Sequence, residues 1–195
     1  MNGDRHRGYG TGREALLAAP VHVVARKGLR GLTFRAVAEH AGVNNTLVAH
    51  HFGTRGSLIK AALEWSVQQS IGLSQLEILP ATEEEFCESI LALIAENPDL
   101  QIFQYEMILE SRRQPELADA VQQLYASYIT AFAEGLRRIG FGQDEGAAQA
   151  AFAALDGLVL QLLAGVDRRG VENSIRYLWV ALGGNVTSTA VTTAT

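Results

Sequence analysis

The sequence predicts an all-α protein: a three-helix N-terminal head containing a helix-turn-helix, joined to a larger helical body. Three observations lead there. Apolar residues recur three and four positions apart along nearly the whole chain, and no run alternates apolar with polar as a half-buried strand does. Helix stop and start signals crowd together between residues 28 and 54 and are widely spaced afterwards. Charge divides the same way. Residues 1–60 hold nine Lys/Arg against three Asp/Glu, residues 61–195 hold seven against eighteen, and all five histidines lie in the first 51. A basic head on an acidic body fits a polyanionic partner for the head alone.

Residues 1–12 are polar and Gly-rich without period, which predicts a disordered arm made basic by Arg5 and Arg7. Residues 13–27 then place Leu16, Leu17, Val21, Val24 and Ala25 at helical spacing, and Gly28 stops the helix. Pro20 conflicts with this, since an interior proline costs a helix about 3 kcal/mol. The helix is expected to kink there or to start later. Thr33 suits the N-cap of the next helix. Phe34, Val37, Ala38 and Ala41 share its apolar face, His40 points elsewhere, and Gly42 ends it after two turns. Asn44 caps a second short helix, with Leu47, Val48 and Phe52 as its expected buried side. Thr54 caps a third, which starts with Leu58, Ile59 and Ala62 and is expected to run to about residue 76. This sets the head at 13–53 and the body at 54–184, the first body helix being a connector.

The rest is helical in pattern. Residues 83–96 open with three glutamates, favourable at the positive end of a helix, and turn Phe86, Ile90, Leu93 and Ile94 inward. Asn97-Pro98 breaks that helix, and Asp99 starts another carrying Ile102, Phe103, Met107, Ile108 and Leu109. Pro115 suits the first turn of a long helix to about residue 139, closed by Gly140 and Gly142. An Ala/Leu-rich helix over 144–165 and a last one over 172–183 follow, with a Ser/Thr-rich tail over 185–195 expected to fray. There is no internal repeat and no Gly-rich phosphate loop. The N-terminus lacks an apolar signal core and the uninterrupted apolar runs are short, so the expected location is the cytoplasm, with no membrane partner. The single cysteine, Cys87, excludes an internal disulfide framework and reads as a small buried residue.

Two short helices joined by a glycine turn form a helix-turn-helix, which sets the leading edge of its second helix against base edges in the major groove. That position calls for short hydrogen-bonding side chains, and Asn44, Asn45 and Thr46 fit. Asn pairs bidentately with adenine, and a Thr methyl meets the thymine methyl. Thr33 and Thr54 sit at helix N-termini that favour phosphate, and Arg35, Arg55, His50 and His51 supply donors nearby. His50 and His51 are adjacent, hence about 100° apart on a helix, whereas metal pairs on helices use i, i+4 spacing. No metal or cofactor is expected.

The run TFRAVAEHAGVNNTLVAHHFGTRGSLIKAAL resembles the DNA-binding segment of the tetracycline-repressor (TetR) family. The resemblance rests on Thr33, Val37-Ala38, Ala41-Gly42-Val43, Asn44, His51-Phe52, Thr54-Arg55 and Leu58, and reaches back through residues 13–32. Three positions depart from it: Ala49 stands where the family often has an aromatic against the DNA backbone, Asn44 replaces the usual Ser, and Pro20 interrupts the first helix. The resemblance implies double-stranded DNA as partner, a four-helix-bundle homodimer and a pocket for a small-molecule effector.

A single recognition helix reads only a few base pairs, so two copies reaching half-sites about 34–36 Å apart are needed for useful specificity. The last two helices are the candidates for joining them, through Phe152, Leu155, Leu158, Val159, Leu162, Tyr177 and Trp179. Phe86, Ile90, Phe103, Met107, Tyr125, Tyr128 and Phe132 are candidates for lining a pocket suited to a small, mostly apolar molecule. The expected function is a homodimeric, effector-responsive repressor on a palindromic operator. The alternative is an all-helical carrier or enzyme whose basic head docks a protein. It would need a convergent titratable set, and Asp156 alone interrupts the apolar body helix.

Overall fold

In a computed structural model describing residues 9–74, 76–141 and 145–183, the described chain is helical and contains no strand. The helices are α1 (Tyr9–Lys27), α2 (Phe34–Ala41), α3 (Asn45–Phe52), α4 (Arg55–Ser74), α5 (Glu83–Glu96), α6 (Pro98–Glu110), α7 (Ala118–Arg138), α8 (Glu145–Leu163) and α9 (Arg168–Ala181). Two 3-10 turns, Leu29–Gly31 and Pro115–Leu117, precede α2 and α7. Arg5, Arg7 and the expected tail over 185–195 lie outside the described residues.

The chain packs as two units, one of residues 1–70 with 97–126, the other of 71–96 with 127–195. The expected division after residue 53 does not coincide with this packing. The three-helix head is too small to enclose a core, and it shares one with most of α4, with α6 and with the start of α7.

In the first unit α1 begins at Tyr9, earlier than expected, and continues through Pro20 without a break. Tertiary burial explains why. α1 packs against both α6 and α2, and Leu16, Leu17, Ala19, Val21, Val23 and Val24 are all buried. At roughly 1.5–3 kcal/mol for each fully buried Leu or Val, that burial outweighs the ~3 kcal/mol proline cost. Gly28 then takes φ +67, a left-handed stop open to glycine without strain. Two carboxylates of α6 meet this part of the chain: Asp99 Oδ2 lies 2.6 Å from His22 Nδ1, and Glu106 Oε2 accepts from the Leu29 amide at 3.1 Å. Where α4 meets α6, Gln104 Nε2 donates to Ser66 Oγ (3.3 Å) and Ser70 Oγ (3.1 Å), all three side chains being buried. Proline at 115 opens a 3-10 turn rather than the long helix itself, and α7 starts at Ala118.

In the second unit Phe86 of α5 packs on Trp179 of α9 with ring centroids 5.0 Å apart, and Phe141 packs on the same indole at 4.9 Å. Tyr128 and Phe132 of α7 close on Phe152 of α8 at 5.4 and 6.3 Å. Cys87 is buried, its thiol is pushed up by desolvation, and its Sγ faces the Glu172 carbonyl at 3.9 Å. It is a packing residue. Gly146–Leu163 of α8 is long and apolar enough to cross a membrane by length and composition, contrary to the sequence expectation, and only 17% of that window is buried.

Candidate nucleic-acid interface

α2 and α3 form the helix-turn-helix, and its caps follow from the residues at each end. Thr33 Oγ1 accepts from the Ala36 amide at 3.1 Å, opening α2. Gly42 takes φ +67 and closes it. Asn44 Oδ1 accepts from the Thr46 amide at 2.8 Å, opening α3. Thr54 Oγ1 accepts from the Ser57 amide at 3.1 Å, opening α4. Each cap satisfies a donor that would otherwise be orphaned at a helix start.

α3 turns one side inward. Val48 is fully buried and Phe52 half-buried, an i, i+4 pair on one side of the helix. Asn45, Thr46, His50 and His51 are exposed, together with the cap Asn44. Leu47 was expected on the buried side but is 45% exposed. The Val48/Phe52 spacing already fixes the inward side and puts residue 47 about 100° away from it. An apolar side chain there adds a methyl-bearing group to a polar face, suited to a thymine methyl.

The basic residues behave differently from one another. Arg35 is exposed and pairs with Glu39 at 2.9 Å, one turn along α2. Arg55 turns back on its own unit: Nε donates to the Leu32 carbonyl at 3.1 Å and Nη2 to the Leu29 carbonyl at 2.7 Å. Two of its nitrogens are thus engaged with main chain, although the residue itself is exposed. It clamps the 3-10 turn to the start of α4, because the Leu32 carbonyl and the Leu29 carbonyl, which also accepts from the Leu32 amide, lie within reach of its planar fork. His40 stacks on His22 at 5.1 Å, away from the α3 face.

Comparison with known proteins bears on this arrangement. The profile described as "Bacterial regulatory proteins, tetR family" matches residues 16–62, and "Tetracyclin repressor-like, C-terminal domain" matches residues 81–181, more than half of the chain. The chain belongs to the TetR family. A curated relative, the HTH-type transcriptional regulator CymR of Pseudomonas putida, is 29% identical over 112 residues, which is 55% of each chain. The match thus spans about half the length of that relative. Among solved structures, a putative TetR-family regulator from Rhodococcus sp. superposes with TM-score 0.71 at 23% identity, covering 89% of this chain and 97% of the other. Salmonella enterica GusR superposes with TM-score 0.70 at 18% identity, covering 92% and 98%. The multidrug binding protein EbrR, solved with proflavin, superposes with TM-score 0.60 at 24% identity, covering 88% and 99%. These likenesses show a shared fold. TetR-family proteins are transcriptional regulators, not enzymes, and the enzyme alternative is set aside.

The residues expected to line a TetR effector pocket are drawn from both packing units. Phe103, Met107 and Tyr125 belong to the first packing unit, whereas Phe86, Ile90, Tyr128 and Phe132 belong to the second. Phe86 is filled in by Trp179, and Tyr128 and Phe132 by Phe152. The expected dimer residues also divide. Phe152, Leu155 and Trp179 are buried within their own unit. Leu158, Val159 and Leu162 are half-buried and Tyr177 is 76% exposed. Leu160 of α8, Val166 after it and Val180 of α9 are exposed as well and were not expected. Their signal was available: α8 is apolar on every side, so once Phe152 and Leu155 face inward, residues 158–163 leave apolar surface over.

Proposed function

We propose that this TetR-family regulator acts in the cytoplasm as a homodimer on a palindromic operator, as a repressor released by a small, mostly apolar effector. The observation that carries the DNA reading is the capped α3, whose Asn44, Asn45, Thr46 and Leu47 crowd an exposed leading edge while Val48 anchors it from behind. Thr33, Thr54, His50 and His51 are the proposed phosphate contacts around that edge, with Arg35 after release from Glu39. Half of the dimer argument is geometric, since one α3 reads too few base pairs for useful selectivity. The other half is the apolar outer face of α8 and α9, which a second copy would cover.

The effector reading is supported by membership of the TetR family and by the concentration of aromatic residues on α5, α6 and α7. A coupling of about 1–3 kcal/mol between effector and DNA would give a roughly 5–150-fold change in operator affinity. A gel shift with DNA flanking the gene tests the central claim. A sequence-selective complex that weakens steeply with salt is expected. Its absence across that DNA would sink the reading. Proflavin, the molecule bound in EbrR, is a reasonable first effector probe.

A further inference from the structure

One cavity of the first packing unit is unused by the reading above. It has a volume of about 420 Å³ and is lined by Leu29, Arg30, Arg55, Glu110, Arg113 and Gln114. That volume is in the range of small-molecule sites. None of the aromatic residues expected for an apolar effector lines it. Its walls are the 3-10 turn before α2, the first residue of α4, and the end of α6 with the residues that follow.

The lining has one apolar member and three guanidinium groups against one carboxylate. The carboxylate is already committed. Glu110 Oε2 accepts from Arg113 Nη1 at 3.1 Å and Oε1 from Gln114 Nε2 at 2.7 Å. The Gln114 and Arg113 hydrogen bonds hold its carboxyl below the ordinary carboxylate pKa range, so it stays charged and bound to its own neighbours. Arg55 is fixed by the Leu29 and Leu32 carbonyls through Nε and Nη2, and these bonds leave its Nη1 edge over. Arg30 makes no ion pair among the described residues. The cleft thus carries an excess of two positive charges, presented by planar forks that match carboxylate and phosphate oxygens.

We propose that this cleft is a binding site for a small dianion, a dicarboxylate or a phosphate monoester, held by Arg30, Arg55 and Arg113. Such a molecule would join the turn before α2, the start of α4 and the end of α6, because one guanidinium comes from each. The proposal stands apart from operator binding and is tested without DNA.

The experiment is thermal unfolding and calorimetric titration of the full chain with succinate and with inorganic phosphate, at constant ionic strength, with acetate as the monoanion control. A ligand held only by the folded state raises the unfolding midpoint saturably. Saturable binding of succinate or phosphate in excess of acetate is expected, weakened about tenfold or more in both Arg30→Gln and Arg113→Gln. Which probe binds separates carboxylate from phosphate chemistry. Equal effects of all three anions, or full binding by both variants, would overturn the proposal. Circular dichroism checks each variant, and exposed Arg30 carries the test alone if Arg113→Gln does not fold. A short generic duplex at low salt is the last arm. If the substitutions weaken duplex binding while neither small anion binds the parent protein, the cleft serves the DNA backbone and the proposal fails.

Discussion

Asn45 bears the sharpest expectation at the scale of one residue. It lies one position past the α3 cap, is exposed, and carries an amide that can read adenine bidentately. Asn45→Ala is expected to relax base preference by about 1–3 kcal/mol at one operator position while leaving generic duplex affinity nearly unchanged. A selection of bound sequences from a random pool checks this; an unchanged preferred sequence would remove Asn45 from the readout. His40 makes a different case. Lost hydration first, then the neighbouring His22 and Arg26, hold its imidazole below the ordinary 6.5, with Asp99 opposing and Lys27 adding to the depression. The lower value belongs to the folded chain, so the unfolded chain takes up the proton more readily. The contribution to stability is therefore complete above 6.5 and is lost as pH falls through the folded value. Unfolding midpoints measured on both sides of that window should fall more steeply in the parent than in His40→Gln. Equal slopes would show that the His22–His40 stack does not sense protonation.

Helices meet limits that single residues do not reveal. Gly135 sits in the interior of α7, where alanine would ordinarily stabilise by about 0.5–1 kcal/mol. Here a Cβ would run into the Leu76 carbonyl oxygen and stand 2.7 Å from Leu79 Cγ. Main chain cannot step aside as a long side chain can, and overpacking costs about 1–3 kcal/mol, so the clash outweighs the propensity. Gly135→Ala is expected to destabilise by about 1–2 kcal/mol in denaturant unfolding. Gly72→Ala in α4, with nothing within 4 Å of the new methyl, should stabilise by about 0.5–1 kcal/mol instead. The opposite order would mean that α7 and the Leu76–Leu79 segment are not in close contact. At Pro20, likewise, burial of α1 on two neighbours overrides a local penalty.

For the whole molecule the decisive surface is the outer side of α8 and α9. Leu160 is 50% exposed in a window of α8 that is apolar by composition yet mostly unburied, and Tyr177 of α9 is 76% exposed. This is the surface through which the proposed dimer would form. Leu160→Glu should leave the helical content of the chain intact, since the side chain contributes little to its own core. It should shift the chain toward monomer in sedimentation equilibrium and weaken operator binding by more than about tenfold, because the two heads no longer act together. A dimer of unchanged stability would move the proposed interface elsewhere.

Much of this was legible in the sequence. Thr33, Asn44 and Thr54 announce helix starts, Gly28 and Gly42 announce stops, and the apolar spacing around Val37 and Val48 announces which sides turn inward. These signals act within a few residues, so a short window of sequence contains them whole, and they were enough for the all-α fold, the helix-turn-helix and the family. What remained was decided by partners far along the chain. Pro20 is tolerated because α2 and α6 bury its helix. Arg55 faces the carbonyls of Leu29 and Leu32 because a turn more than twenty residues earlier folds against the start of α4. Phe152 is core and Leu160 is surface, although both sit in the same apolar run of α8. Composition sets how much apolar area a helix carries, but only packing chooses which side of it meets the rest of the chain.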